Sequence, residues 1–362
     1  MDKLMEYRAE INKIDSGITD LFTQRWEVIR KIAGYKTERG IPILDHGRER
    51  EILEQNSARI PAADVRAYFV SFMQNVLDLS KQFQHMLMEG MNVAYSGVPG
   101  AFADIASRRI FSDARHIGFP DFKSAYNAVA GGECDCAVLP IENSSAGIVD
   151  QVLELMFNGD LHINGMYTMS VQQNLIGIKG SSTEMIRKVI SHPQALQQCE
   201  DFIRAHGFQT VSAVNTAISA QHVAELNDPT VAAIASEATA DLYGLEILES
   251  NINESSVNTT KFAIFSRIEN LNSDSRGKFI LMFTVPDVAG ALAKAISVIS
   301  EYGYNMKVLR SHSMKEIAWQ YCFYVEIEGN ENCENGRQML TALAEHCDKL
   351  KIIGHYQKEV EI

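Results

Sequence analysis

The sequence runs to 362 residues, of which 46% are hydrophobic and 22% charged, a globular composition that excludes disordered and fibrous classes and suits two or three domains better than one. Its formal net charge of −13 argues against nucleic-acid partners, because phosphate contacts need a positive surface. A local cluster of Arg or Lys in so acidic a chain is therefore informative.

The opening MDKLMEYRAEINKID carries charge throughout, unlike the apolar core of a secretory signal. No window approaches the roughly 18 consecutive apolar residues of a membrane span. The six cysteines (Cys134, Cys136, Cys199, Cys322, Cys333 and Cys347) are scattered, and Cys134/Cys136 form CxC rather than CxxC. That spacing predicts reduced, structural thiols and no metal site, with a cytoplasmic location following.

Residues 1–90 read as helix. Over 3–35, Leu4, Ile11, Ile18, Arg25 and Ile32 take a-type positions, and Tyr7, Ile14, Leu21, Val28 and Tyr35 take d-type positions. This 3.5-residue repeat belongs to a long packed helix of about 50 Å. Helices expected near 46–59 and 63–89 offer too little surface to bury that seam, so an intertwined homodimer, or a higher homo-oligomer, is predicted. Arg25 is the one charge on the seam, and a buried guanidinium needs an anion. On Arg25 alone, a structural pairing with Asp15 or a Glu serves as well as a ligand. Its neighbours add to it. Arg8 and Lys36 edge the same face; Asp45, Arg48 and Glu49 open the second helix, Asp45 as an N-cap; Ser80 and Gln84 interrupt an apolar face of the third. Such a lined pocket suits a small polyanion.

The pattern Arg8…Arg25…Lys36…Asp45-x-x-Arg48-Glu49…Ser80-x-x-x-Gln84 resembles the all-helical chorismate mutase family. The resemblance implies a domain-swapped dimer in which Arg8 is donated by the partner. It implies that Arg8, Arg25 and Arg48 contact the substrate's carboxylates and neighbouring oxygens, Lys36 and Gln84 donate to the ether oxygen, and Glu49 holds the ring hydroxyl. A pericyclic rearrangement needs a fixed near-attack conformer and donors at the oxygen that gains charge, not a nucleophile.

Residues 91–267 alternate β-rich runs with helical patterns, as in an α/β domain. The loop Gly97-Val98-Pro99-Gly100 opens a helix but is neither a Walker loop nor GxGxxG, and ordinary turn chemistry accounts for it. Three polar clusters follow, at Glu142-Asn143-Ser144-Ser145, Ser191-His192-Pro193-Gln194 and Asn258-Thr259-Thr260-Lys261. Each is expected at the carboxyl end of a strand or the mouth of the next element, where α/β ligand sites form. His192 alone reads as a capping residue.

The stretches GVPGAFADIA, PIENSSAG, SHPQALQQC, SEATADLYGLEIL and NTTKF together resemble prephenate dehydratases. That family's fold is two α/β lobes similar to periplasmic binding proteins, with the site in the cleft and no metal or cofactor. The resemblance points to Thr260 as the donor that helps hydroxide leave. Glu142, Asn143, Ser144, Ser191, His192, Gln194, Glu237 and Asn258 would orient substrate or support Thr260. Lys261 stands where the family has Arg, which keeps the charge and loses the planar fork.

The stretch 268–277 is polar and turn-rich, and reads as a linker. Residues 278–358 follow β-α-β-β-α-β, a ferredoxin-like α+β order. With Gly290-Ala291-Leu292 after Asp287 they resemble an ACT domain, an amino-acid-sensing unit. Of its second motif only Ser311 survives, in Arg310-Ser311-His312-Ser313. The resemblance implies L-phenylalanine as effector at Gly290, Ala291, Leu292 and Ser311. The chain as a whole reads as a multidomain enzyme that converts chorismate to prephenate and prephenate to phenylpyruvate. The alternatives are a non-catalytic amino-acid sensor and a mutase whose dehydratase half has weakened through Lys261.

Overall fold

The computed structural model describes residues 3–255, 257–269, 277–313 and 321–362, apart from the side chain of His46. The expected linker falls largely on 270–276, outside the described residues. The chain divides into two compact units, Met1–Met91 and Asn92–Ile362.

The first unit holds α1 (Lys3–Arg39), α2 (His46–Ser57) and α3 (Ala63–Glu89). The heptad pattern yields one unbroken helix of 37 residues, about 55 Å long. Asp45 caps α2 by accepting from the Arg48 N–H at 2.9 Å, a contact worth about 1 kcal/mol. Ile29 and Ala33 of α1 and Leu77 of α3 are buried, and Trp26 meets Phe83 with ring centroids 6.2 Å apart. The rest of the seam gains no such cover within this unit. Leu4, Tyr7, Ile11, Ile14, Ile18 and Leu21 are each at least half exposed.

The second unit opens with an α/β lobe: β1 (Asn92–Ser96), α4 (Phe102–Ile110), β2 (Arg115–Phe119), α5 (Phe122–Ala130), β3 (Cys136–Asn143), β4 (Gly147–Ile148), α6 (Asp150–Asn158) and β5 (His162–Ser170). The chain then builds a second lobe from β6 (Asn174–Gly177), β7 (Lys188–Ser191), α7 (Pro193–Gln198), α8 (Glu200–His206), β8 (Gln209–Ser212), α9 (Thr216–Leu226), β9 (Val231–Ala235), α10 (Glu237–Tyr243) and β10 (Glu246–Glu249). It returns to the first lobe as β11 (Thr259–Ser266), antiparallel between β3 and β5. The second lobe has its own sheet, ordered β10-β6-β9-β7-β8, over a core that includes Leu175, Val189 and Ile234.

A C-terminal sheet region follows: β12 (Lys278–Thr284), α11 (Ala291–Glu301), β13 (Asn305–Ser313), β14 (Tyr321–Glu328), α12 (Glu334–Ala344), β15 (Lys349–Tyr356) and β16 (Glu359–Glu361). Its strand order, β13-β14-β12-β15, is the expected ferredoxin-like one. Alternation along β12 divides its side chains between two cores. Phe279, Leu281 and Phe283 pack with Ala295 and Ile299 of α11 and Met339 and Leu343 of α12. Ile280 and Met282 instead join Leu139, Met156 and Phe265 of the first lobe. Parallel pairing of Gly354 with Ile163, and of β16 with β5 from Glu359–Met166 to Glu361–Thr168, makes the two sheets continuous. A Cβ at Gly354 would collide with the Ile163 backbone, so the junction requires glycine.

All six cysteines are free thiols. Burial pushes Cys134 up to about 11 and Cys199 to about 12, which makes them unreactive. Among the described residues no helix is long and apolar enough to cross a membrane.

Candidate functional site

In the helical unit α1 and α3 bring three of the predicted residues together. Arg25 Nη1 donates to Ser80 Oγ at 2.5 Å. Ser80 Oγ in turn donates to the Val76 carbonyl, and Gln84 Nε2 to the Ser80 carbonyl at 3.3 Å. Burial pushes the Arg25 guanidinium down from its ordinary value, but it stays charged, because arginine is not deprotonated in proteins. Gln84 Oε1 is buried with no hydrogen-bond partner among the described residues, an arrangement that costs about 1–3 kcal/mol until a donor arrives.

Lys36, about three turns beyond Arg25 on the same face, donates to the Ile43 carbonyl at 2.7 Å. Glu49 is paired with Lys81 at 3.0 Å, and Lys81 also meets Asp78 at 2.9 Å. Burial opposes the Lys81 charge, but Asp78 and Glu49 outweigh it and its pKa is raised. Lys81 escaped the sequence reading, although the Asp78–Lys81 spacing of one helical turn was a signal. Arg48 is exposed and paired with Glu51 at 2.6 Å. Arg8 is exposed and stands roughly 25 Å from Arg25 along α1.

In the α/β unit a cleft of about 520 Å³ is lined from both lobes, with Asn143, Thr260, Phe262, His192, Gln194 and Thr216 among its walls. Asn143 is its hub. Its Nδ2 lies 2.9 Å from Thr260 Oγ, 3.0 Å from Asn258 Oδ1 and 3.1 Å from the Thr259 carbonyl. Its Oδ1 accepts from the Ser145 and Ala146 N–H groups at 3.0 and 2.9 Å and from Gln194 Nε2 at 3.2 Å. Asn143 has no capacity left over, whereas Thr260 Oγ accepts from it and keeps its own O–H to donate. Behind them Asn258 donates to Gln198 Oε1 at 3.0 Å, which also receives Gln173 Nε2 at 3.4 Å.

His192 caps α7: its Nδ1 accepts from the Gln194 N–H at 3.2 Å, so the neutral ring carries its proton on Nε2. Burial holds its pKa below the ordinary value. Asn215 caps α9 in the same manner, accepting from Ile218 N–H at 2.7 Å, and lines the cleft beside Thr216. The sequence reading missed Asn215, Gln173 and Gln198; an Asn-Thr pair after a strand was the available signal for the first.

Other predicted residues stand elsewhere. Ser191 is buried and donates to the Ile234 carbonyl at 2.6 Å. Ser144 is exposed and staples the loop, donating to the Val257 carbonyl and accepting from Thr259 N–H, both at 2.9 Å. Glu237 is exposed on the first turn of α10, outside the cleft lining. Glu142 and Lys261 alternate with Asn143 and Thr260 on the facing strands, and so turn to the opposite side of the sheet. Lys261 meets Glu359 there at 3.4 Å and is not among the residues lining the cleft.

Both glycine N–H groups of the loop at Gly97–Gly100 are spent within the lobe: Gly97 donates to the Phe119 carbonyl at 2.7 Å and Gly100 to Asp104 Oδ2 at 2.9 Å. In the C-terminal region Gly290, Ala291 and Leu292 line a recess of about 700 Å³ with Val285, Tyr321 and Phe323. Ser311 lies on β13, outside that lining. Glu269, Glu331 and His355 also converge; the imidazole pairs with the two carboxylates at 3.5 and 3.2 Å.

Residues 7–85 match the model of the chorismate mutase type II family and residues 93–270 that of prephenate dehydratase. A bifunctional chorismate mutase/prephenate dehydratase of Neisseria gonorrhoeae is 30% identical over 99% of this chain and 98% of its own length. One of Aquifex aeolicus is 30% identical over 99% of each. Among solved structures, the prephenate dehydratase of Arthrobacter aurescens in complex with L-Phe is 25% identical, with a TM-score of 0.68 over 74% of this chain and 90% of that one. A structure described as GqqA, a novel type of quorum quenching acylase, is 31% identical, with a TM-score of 0.67 over 73% of this chain and 97% of that one. Full-length likeness, together with a helical polar cluster and a separate two-lobed cleft, makes this chain a member of the bifunctional chorismate mutase/prephenate dehydratase family, with both activities in phenylalanine biosynthesis.

Proposed function

We propose that the two reactions run at the two polar clusters, with residues 1–90 as the mutase domain, 91–267 as the dehydratase domain and 278–358 as an ACT-type regulatory domain. The observation that carries the dehydratase half is the 2.9 Å contact from Asn143 to Thr260 Oγ inside the interlobe cleft. With its lone pair engaged, Thr260 directs its O–H at the leaving hydroxyl of prephenate. Loss of carbon dioxide and aromatisation drive the step, so the protein has only to stabilise the departing oxygen. A threonine hydroxyl is too weak an acid to act by full ionisation, and hydrogen-bond donation in a preorganised site is its role. Gln194 and His192 bound the substrate from the second lobe, while Asn143 holds Thr260 and Asn258 holds Asn143 rather than the substrate.

In the mutase half, Arg25, Lys36 and Gln84 face the substrate's carboxylate and ether oxygens, Ser80 fixes Arg25, and Glu49, neutralised by Lys81, takes the ring hydroxyl. Arg48 turns from Glu51 to the substrate, and Arg8 enters from a second copy. Two facts support that copy: the distance from Arg8 to Arg25 along one helix, and a seam whose Leu, Ile and Val side chains each gain about 2 kcal/mol by burial. The homodimer is therefore part of the active site. The recess at Gly290–Leu292 is the proposed seat of L-phenylalanine, the ligand named for the Arthrobacter aurescens structure. Free thiols throughout suit a cytoplasmic, reducing location.

The test supplies chorismate or prephenate to two variants of the full chain. Arg25→Ala is expected to lower mutase turnover by about 10²–10³-fold with dehydration of added prephenate unchanged, and Thr260→Ala the reverse. Loss of both activities in either variant overturns the two-site reading.

A further inference from the structure

The strand pair that carries Asn143 and Thr260 has a second face. Glu142 and Lys261 are partners across the β3–β11 ladder and point away from the cleft, by the alternation of side chains along a strand. Both are met there by charges of the C-terminal region. Arg310 of β13 donates to Glu142 Oε1 at 3.3 Å. Lys261 Nζ lies 3.4 Å from Glu359 of β16 and 3.9 Å from Glu326 of β14. Glu326 is buried and fixed, since its carboxylate accepts from the Tyr324 and Tyr356 hydroxyls at 2.7 and 2.9 Å. Lys278 holds Glu359 from the other side at 3.2 Å. Burial alone would raise Glu359, but Lys261 and Lys278 keep its pKa below the ordinary value.

The backbone ladder is irregular at this point. Lys261 pairs with Glu142, yet Phe262 pairs with Pro140, so Ile141 is an extra residue and the strand is bulged. The extra residue bends β3 locally and raises its twist, so the approach of Asn143 to Thr260 depends also on what packs behind the bulge. A slip of about 1 Å would break the Asn143–Thr260 contact and turn the hydroxyl off its target.

Resting on the reading of Thr260 as donor and Asn143 as its holder, we infer that Lys261 and the Arg310–Glu142 pair are positioning residues for the dehydratase reaction. The C-terminal region grips each strand from behind with a separate charge, and so sets the geometry at the front. Charges that merely fastened the C-terminal region would alter stability and leave turnover per folded molecule unchanged.

The experiment uses the full chain with Arg310→Glu, Glu142→Arg and the double reversal, with Lys261→Met beside Lys261→Arg. Arg310 and Glu142 are partly exposed, with side chains 49% and 27% accessible, so the reversals are tolerable to the fold. Each single reversal and Lys261→Met should lower dehydratase kcat by about tenfold, with KM for prephenate within about twofold and mutase turnover unchanged. The double reversal and Lys261→Arg should recover most of the loss, which misfolding of a single variant would not mimic. Unchanged kcat in the single variants, or a double reversal no better than the worse single, overturns the inference. Thr260→Ala, run in parallel, separates the two readings: full dehydratase activity there would fault the site itself and not the clamp behind it.

Discussion

In the helical unit Arg25, Ser80 and Gln84 touch, while Arg8 lies roughly 25 Å away along the same helix. In the α/β unit one strand pair sets Asn143 and Thr260 2.9 Å apart, and a single cleft gathers His192 and Gln194 around them. The difference follows from geometry. A long helix spreads its residues along a line, and only another helix beside it can close the site. A sheet with loops at its strand ends brings distant parts of one chain to a point. On the proposed reading, the mutase reaction depends on association of two copies, and the dehydratase reaction on a cleft between two lobes of one chain.

The sharpest way to break this contrast is complementation. Arg8→Ala and Arg25→Ala should each lower mutase turnover by about 10²–10³-fold. Unfolded together and refolded, they should regain about a quarter of wild-type activity, because half the dimers are mixed and each mixed dimer holds one intact site. No recovery on mixing would mean that Arg8 does not act across copies. The corresponding mixture of two dehydratase variants, Thr260→Ala and Asn143→Ala, should regain nothing.

A charge on the seam should have a smaller but equally one-sided effect. Leu21→Glu should shift the sedimenting species toward monomer at micromolar concentration and lower mutase turnover by about tenfold or more, since a carboxylate facing its symmetry mate is costly to bury. Dehydratase turnover should stay within about twofold; its collapse alongside the mutase would show that the cleft too depends on association.

The smallest effect expected is at His192. Its pKa is lowered by burial, so the folded state binds fewer protons there than the unfolded chain. The α7 cap is thus fully present above the unfolded value of about 6.5, and is lost as pH falls from there through the depressed folded value. Dehydratase stability should show an acid limb in that window, and mutase activity should not. His192→Asn keeps a capping oxygen and should remove the limb while costing about twofold in turnover at neutral pH. A persisting limb would assign it to another group.

Local periodicity and turn chemistry were enough to read much of this molecule. The heptad of α1, the Asp45 cap and the β-α-β-β-α-β order of the last region depend on near neighbours in the chain, and the structure follows each. The family patterns singled out Arg25, Ser80 and Gln84, which the structure brings into contact, and Asn143 and Thr260, which it sets side by side. Which residues of a polar cluster face a ligand was not legible in the same manner. Glu142 and Lys261 sit one position from Asn143 and Thr260, and a strand turns adjacent side chains to opposite faces. Ser191 lies one position before His192 and spends its hydroxyl on the Ile234 carbonyl.

The sequence by itself determined what each segment can form, because helix caps, seams and strand alternation are settled within a few residues. Only the tertiary structure decided that the C-terminal sheet buries Ile280 and Met282 against the first lobe, and that its Arg310, Glu326 and Glu359 reach the back of the strands bearing the cleft. Those contacts join residues far apart in the chain, 168 positions for Arg310 and Glu142, and no local rule of charge or periodicity encodes a pairing that exists only once two sheets have packed.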